Sequence, residues 1–238
     1  MDILLEVYHD DKVDFQITKH NIKAFLLDLL VSGISGADEA VKWAIAELIN
    51  HPDVFSKVRE EIEFVVGRSR LVEESDIPNL PYLQAVVKES LRMHPPAPVI
   101  VRECYENCNI RGFDIPEKMT TAINVCAIMR DPDLWETPNE FQPERFLVCP
   151  KEQDNNQDGE TKKQLLNFLS LEGGRRSCPV SLLSFALMNT AIAVRVQCFD
   201  FEVDGHDAKL KLESGTGMSL SLPQQLLCRP GVHFNPFA

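Results

Sequence analysis

Cys178 is the residue of this chain best placed to do chemistry. In "FLSLEGGRRSCPV" it follows two glycines, Gly173 and Gly174, and two arginines, Arg175 and Arg176, and a run with helical periodicity starts directly after it. A sulfur at the start of a helix lies against unpaired backbone N–H groups and the positive end of the helix dipole, which favours thiolate over thiol. A thiolate is a nucleophile or a metal ligand. A nucleophile needs a paired base, and neither His206 nor His233, the nearest in sequence, has a spacing that supplies one, so metal ligation is the better functional reading. A chemically inert cysteine buried at a helix start is the alternative.

A second candidate group lies upstream. Glu89 and Arg92 in "VVKESLRMHPP" stand at i and i+3 and share one helix face. As a solvated pair they would be worth roughly half a kcal/mol. Val86, Val87 and Leu91 beside them place this end of the helix near a core, and a buried pair would need a third group, for which Arg145 in "PERF" is a candidate. Cys104 and Cys108 are spaced too loosely for a zinc knuckle and have no histidine pair nearby, so no structural zinc is expected.

The elements that must position these groups are mostly helical. From about His20 to Asn50, Ile22, Phe25, Leu26, Leu29, Leu30, Gly33, Ala37, Ala44, Ile45 and Leu48 recur at three- and four-residue steps behind a candidate N-cap, Thr18. Such a helix is on the order of 45 Å long and must cross a whole domain. Pro52 opens a second helix with Val54, Val58, Ile62 and Val65 as its buried stripe and Gly67 as its stop. A third begins near Leu80 and ends before Pro95 and Pro96, with Leu83, Val86, Val87 and Leu91 facing inward.

Beyond Val99 the period shortens. "VIVRE", "CNIRGFDIP" and "TTAIN" read as short strands, with Arg111 and Gly112 in a turn and Pro116 closing the hairpin. An irregular proline-rich stretch follows, held by Trp135, Phe141 and Phe146. "CPKEQDNNQDGETKKQ" reads as an exposed loop. Leu182, Leu183, Ala186, Leu187, Thr190, Ala191 and Val194 mark a last helix, and the tail from Phe199 alternates like edge strands.

Composition bounds the function. With 238 residues, 44% of them hydrophobic, the chain has enough to build a sizeable core. A net charge of -12 argues against general affinity for nucleic acid or an anionic membrane surface. Seven scattered cysteines fit reduced thiols better than a disulfide scaffold. The apolar patches "ILLEV" and "AFLLDLLVSG" fall short of the ~20 residues of a spanning helix, so the chain as it stands is expected to be soluble or peripherally held.

The long helix, "KESLR" before a proline pair, "PERF", and "GGRRSC" opening a final helix, in this order, resemble the C-terminal half of the cytochrome P-450 superfamily. The resemblance covers essentially the whole chain. "WAIAELINHP", "RLVEESDIPNLPYLQAVVKESLRMHPP", "QCFDFEVDG" and "NPFA" are similar to the plant microsomal branch, nearest to enzymes that oxidise flavonoids and isoflavonoid-derived pterocarpans. The implied fold class is mainly α with small β-sheets. Residues 1–238 would form the C-terminal portion of one domain, with the N-terminal half and membrane anchor absent.

The implied activity is that of a haem-thiolate monooxygenase, an oxidoreductase that inserts one oxygen atom of O₂ into a flavonoid-like small molecule. Its cofactor is haem b, its partner an NADPH-dependent reductase, and its place the cytosolic face of the endoplasmic reticulum membrane. The resemblance makes Cys178 the axial ligand of the haem iron, where thiolate electron donation favours O–O cleavage. It makes Arg176 and Arg102 partners of the haem propionates, and Glu89, Arg92 and Arg145 a buried charged triad. Residues 95–102 and 214–219 and the middle of the long helix would line the substrate pocket. Lys162, Lys163, Arg175 and Arg176 would suit docking of an acidic reductase.

The chain departs from the family pattern at the chemistry. The Phe and Gly that usually open the bend before the cysteine are Leu171 and Glu172, and the Gly two residues after it is Val180. In the long helix, Ser35 and Gly36 stand where the family has an acid and a threonine, the pair that relays protons to the oxygen-activating centre. Glu172 sets a carboxylate near the thiolate, and Val180 would crowd the haem face. The alternative expectation is thus a truncated, motif-eroded, non-catalytic chain that binds haem weakly or not at all.

Overall fold

A computed structural model describes residues 2–9, 16–147, 169–171, 176–203, 210 and 228–236. It begins with a short helix, α1 (Asp2–His9), that the apolar patch "ILLEV" had not announced. The long helix α2 (Lys19–Asn50) then starts where Thr18 predicts. Thr18 Oγ1 accepts from the Asn21 amide at 3.2 Å and the Asn21 side chain accepts from the Thr18 amide at 2.9 Å, a reciprocal cap that satisfies two otherwise unpaired donors.

The second half of α2 is enclosed, whereas among the described residues of the first half Ile22 alone is buried. Ala44, Ile45, Ala46 and Leu48 are buried, whereas Phe25, Leu27, Leu30 and Val31 are about half to two-thirds exposed. The periodicity of Phe25 and Leu30 is real but corresponds to no packing among the described residues.

Proline at its first position starts α3 (Pro52–Val65), which buries Val54, Val58 and Ile62. Val66, rather than the expected Val65, continues that stripe, and Gly67 at φ +79° turns the chain out of the helix. A 3₁₀ turn (Glu74–Asn79) leads to α4 (Pro81–Met93). Leu80 gives α4 no side-chain cap. The cap comes from α3, where Glu61 accepts the Tyr82 and Leu83 amides at 2.8 and 2.9 Å.

The strands are short and paired in twos. β1 (Val99–Glu103) runs antiparallel to β4 (Thr120–Asn124), with Ile100 opposite Ile123 and Arg102 opposite Thr121. β2 (Cys108–Ile110) and β3 (Phe113–Ile115) form a hairpin. Its two turn residues, Arg111 and Gly112, have φ of 51° and 89°, the left-handed geometry that matches strand twist in a two-residue loop. The Asn109 side chain fixes the turn by accepting the Gly112 amide. Asn124 caps α5 (Val125–Met129), after which the chain is irregular to the 3₁₀ turn Pro143–Phe146.

The last helix, α6 (Ser181–Cys198), packs against α2, α3 and α4, and β5 (Phe199–Glu202) pairs with β6 (Arg229–Val232). Its buried residues are Met188, Asn189, Ile192, Ala193, Val196, Gln197 and Cys198. The stripe read from the sequence is the other face: Leu182, Leu183 and Leu187 are 87, 57 and 55% exposed. Both faces are apolar, so periodicity alone could not say which one meets the core. Although α6 is long and apolar enough to cross a bilayer, with a mean hydropathy of 1.3, its Gln197 side chain bonds the Val72 amide and the Arg70 carbonyl inside the fold.

Residues of α2, α3, α4 and α6 share one core, which also takes in Phe141. A second, smaller core joins Ile100, Val125, Met129 and Trp135, with Phe146 against it. The irregular stretch is therefore held by two cores rather than by a single cluster of Trp135, Phe141 and Phe146.

Candidate functional site

The helix face that carries Glu89 and Arg92 lies in the interior, and both side chains are fully buried. Their contact is a two-pronged fork: Arg92 Nε donates to Glu89 Oε2 at 2.8 Å and Nη2 to Oε1 at 2.9 Å. The rest of the guanidinium is satisfied by the carbonyl of Met129, which ends α5, at 2.8 Å and by those of Pro138 and Glu140 in the irregular stretch at 2.9 and 3.3 Å, and Trp135 lies beneath its plane. Arg145 donates from Nε to Glu89 Oε1 at 3.0 Å and from Nη1 to the Glu136 carbonyl at 2.9 Å. The Gln142 amide also bonds Glu89 Oε1. One carboxylate and two guanidiniums thus pin the coil from Glu136 to Gln142 to α4, and the geometry is that of a buried network rather than a surface pair.

A neighbouring polar group was missed in the sequence. Glu47 on α2 and His94 after α4 are both buried, with His94 Nε2 2.7 Å from Glu47 Oε1. The His94 ring stacks on Trp43, centroids 3.8 Å apart and planes 6° from parallel. His51 Nδ1 lies 3.3 Å from the second carboxylate oxygen of Glu47. Burial opposes the charge on Glu47, yet hydrogen bonds from His51 and His94 hold its carboxyl below the usual range. Burial pushes His94 down, while the Glu47 hydrogen bond pushes His51 up. The available signal was that Glu47 sits between Ala46 and Leu48 at the enclosed end of a helix, where an acid needs a partner.

Upstream in α2, Ser32 and Ser35 turn their hydroxyls back onto their own helix, donating to the carbonyls of Asp28 at 2.6 Å and Val31 at 3.2 Å. Ser35 therefore spends its proton locally. Gly36 leaves room: a Cβ built there meets nothing within 4 Å, and the same holds at Gly33.

Cys178 lies at a tight reversal. Its amide donates to the Leu171 carbonyl at 3.0 Å and its carbonyl accepts from Ser181 at 3.3 Å, the first residue of α6. The thiol is half-buried. Val180, the residue before the helix, has φ -111° and ψ 21°, an ordinary conformation that a β-branched side chain adopts without strain. Arg176 is exposed two residues before the cysteine. Arg102 is half-buried on β1, on the strand face that carries Ile100, with Nη1 donating to the Val101 carbonyl at 2.9 Å. Glu172, Arg175, Lys162, Lys163, the polar loop around them and residues 214–219 lie outside the described residues.

A family description for cytochrome P450 matches residues 1–228. The chain belongs to the cytochrome P450 family. It is 45% identical over 231 residues to cytochrome P450 705A1 of Arabidopsis thaliana, covering 97% of this chain and 44% of the relative. It is 42% identical over 237 residues to the 3,9-dihydroxypterocarpan 6A-monooxygenase of Glycine max, covering 100% of this chain and 46% of the relative. A solved zebra fish cytochrome P450 structure with abiraterone shares the fold, with a TM-score of 0.79 at 24% identity over 97% of this chain and 52% of that one. The chain spans about half the length of the curated relatives it matches.

A cytochrome P450 implies a haem, and the residues present fit one. A soft sulfur donor stands one turn from the positive end of α6, the helix presents Leu182, Leu183 and Leu187 as uncovered apolar surface, and Arg176 offers a nearby cation for a carboxylate.

Proposed function

We propose that this cytochrome P450 is a haem-thiolate monooxygenase acting on a flavonoid-like small molecule, with Cys178 as the residue that would hold the iron of a haem b. The observation that carries the reading is the Cys178 turn, tied to Leu171 on one side and to the start of α6 on the other, in a chain of this family. Bound haem supplies the oxygen-activating chemistry, using NADPH electrons from a reductase. Within that reading the Cys178 thiolate would hold the haem iron, and Arg176 and Arg102 would pair with the haem carboxylates. Glu89, Arg92 and Arg145 keep residues 136–142 folded against α4. Residues 95–102 line the small-molecule pocket. The pterocarpan-oxidising activity named for the Glycine max relative supports a pterocarpan or related flavonoid skeleton as substrate. The same reading includes the cytosolic face of the endoplasmic reticulum membrane.

The test is the absorption spectrum of the purified protein supplied with haem, reduced under carbon monoxide. A red-shifted Soret band typical of thiolate ligation is expected, lost in Cys178→Ala and kept in Cys198→Ala. Absorbance of free haem in the unmodified protein would overturn the reading in favour of a non-catalytic chain.

A second reading concerns the fate of oxygen and rests on Ser35 and Gly36. Ser35 Oγ bonds its own helix and Gly36 has no side chain, so neither holds a proton for transfer. In that reading NADPH is consumed and most oxygen leaves as peroxide. The double variant Ser35→Asp, Gly36→Thr should lower peroxide formed per NADPH, and tight coupling in the unmodified protein would refute it.

A further inference from the structure

Two thiols outside the Cys178 turn face each other at the surface. Cys104 directly follows β1 and Cys108 begins β2, and their sulfurs lie 3.6 Å apart. Cys104 is half-buried and Cys108 exposed, and both are free thiols.

The backbone holds them in this opposition. Cys104 donates its amide to the Met119 carbonyl at 2.9 Å and accepts from the Lys118 amide at 2.7 Å. Cys108 is paired with Ile115 in the hairpin ladder. The three residues between them are steadied by the Asn107 side chain, which accepts the Glu117 amide at 2.8 Å. Cys104 Sγ also contacts the Glu106 carbonyl at 2.9 Å. Two anchored ends and a braced linker therefore keep both sulfurs within reach of one another, 3.6 Å apart against the roughly 2 Å of a bond.

We propose that Cys104 and Cys108 form a redox-active dithiol that closes to an intramolecular disulfide when a hydroperoxide oxidises it. In the first step the Cys104 thiolate attacks the peroxide oxygen; the O–O bond breaks, a sulfenic acid forms, and the leaving hydroxide takes a proton and departs as water. In the second, the Cys108 sulfur attacks the sulfenic sulfur, the S–O bond breaks, the Cys108 proton leaves with the hydroxyl, and a second water is released. In total two thiols and one hydrogen peroxide give one disulfide and two waters. The hydrogen bond to Cys104 raises the Cys108 thiol above its ordinary range, which suits Cys108 to the resolving role. The bond would clip the crossover between β1 and β2, two residues beyond Arg102.

Trypsin cutting after Arg102 and Arg111 releases both cysteines in one peptide, Glu103–Arg111. Reduced full-length protein is treated with stoichiometric hydrogen peroxide, free thiols are alkylated with iodoacetamide, and the digest is read by mass spectrometry. The expected product is this peptide lacking two hydrogens and carrying no alkyl group, restored to double alkylation by dithiothreitol. Cys104→Ser should abolish the closed peptide and leave Cys108 alkylated or over-oxidised. Cys126→Ser and Cys198→Ser should leave its rate unchanged. Closure should outpace mixed-disulfide formation with added glutathione by about tenfold or more, because the partner is already in place. Full double alkylation of the peptide after peroxide, or cross-linked dimers through Cys108 as the main product, would overturn the proposal. It stands or falls apart from haem binding, which the carbon monoxide spectrum reads separately.

Discussion

The Glu89 network and the Cys178 turn sit at opposite extremes of the same fold. Around Glu89 the interior is closed: two arginines, four backbone carbonyls, an amide and an indole complete one another. Around Cys178 the surface is open, with a half-buried thiol and three leucines of α6 turned outward. Charge is concentrated in the closed region, and the Cys178 sulfur stands half-exposed in the open one. The network is a structural clasp whose charges are neutralised in place, while the turn leaves its thiol within reach of solvent.

The sharpest way to break this contrast is Glu89→Ala. It leaves Arg92 and Arg145 buried without their carboxylate, and the loss should be about 3–5 kcal/mol. Chemical denaturation of the purified variant checks it; an unchanged midpoint would mean that the network is not the clasp. The two faces of α6 give the next test. Met188→Ala opens a cavity in the shared core and should cost about 2–5 kcal/mol, whereas Leu182→Ser should stay within about 0.5 kcal/mol. Equal losses from both would erase the difference between the closed and open sides.

Acid provides a smaller effect. Arg70 and the Glu73 amide hold the Asp76 carboxyl at about 2. A carboxyl whose pKa is depressed on folding contributes stability above its unfolded value, near 3.8, and loses it as pH falls through about 2. Because solvent reaches Arg70, the contribution at neutral pH is reduced to about 1–2 kcal/mol. Asp76→Asn should therefore be less stable than the unmodified protein at pH 7, and the gap should narrow on titration from pH 4 toward 2. The smallest effect belongs to Gly36→Thr. With no atom within 4 Å of its new Cβ, it should raise stability by a few tenths of a kcal/mol through helix propensity, measured as a slightly higher Tm.

Local chemistry made the helices and turns readable before their packing was known. Thr18, Pro52, Gly67 and the Arg111–Gly112 pair each fix a boundary by a property of the residue itself, and the structure places boundaries at all four. The facing of α2 and α6 was less readable, because each carries apolar residues around much of its circumference and only a partner element can choose among them. Phe25 and Leu187 follow a helical period perfectly well and remain exposed. Glu89 and Arg92 declared themselves by spacing, but the carbonyls of Pro138 and Glu140 that help complete the guanidinium come from coil, which has no period to read. Glu47 and His94 lie 47 positions apart and meet only because α2 and α4 pack together. The Cys104–Cys108 approach depends on a loop brace from Asn107, a backbone contact that residue spacing does not reveal.

The Glu61 cap on α4 has a consequence in time. Helix nucleation fixes several residues for a single hydrogen bond, and α4 opens behind Leu80 with no side chain of its own to offset that cost. The carboxylate that does so belongs to α3, about twenty residues earlier, across a connection that must first fold back on itself. The two helices therefore mature together, and α4 has no independent existence on the folding pathway. Refolding kinetics of Glu61→Gln should place this contact in the transition state, with a φ-value of about one half or higher. The burial of Glu89 and Arg92, both on α4, is then tied to the docking of α3 and α4 as one step.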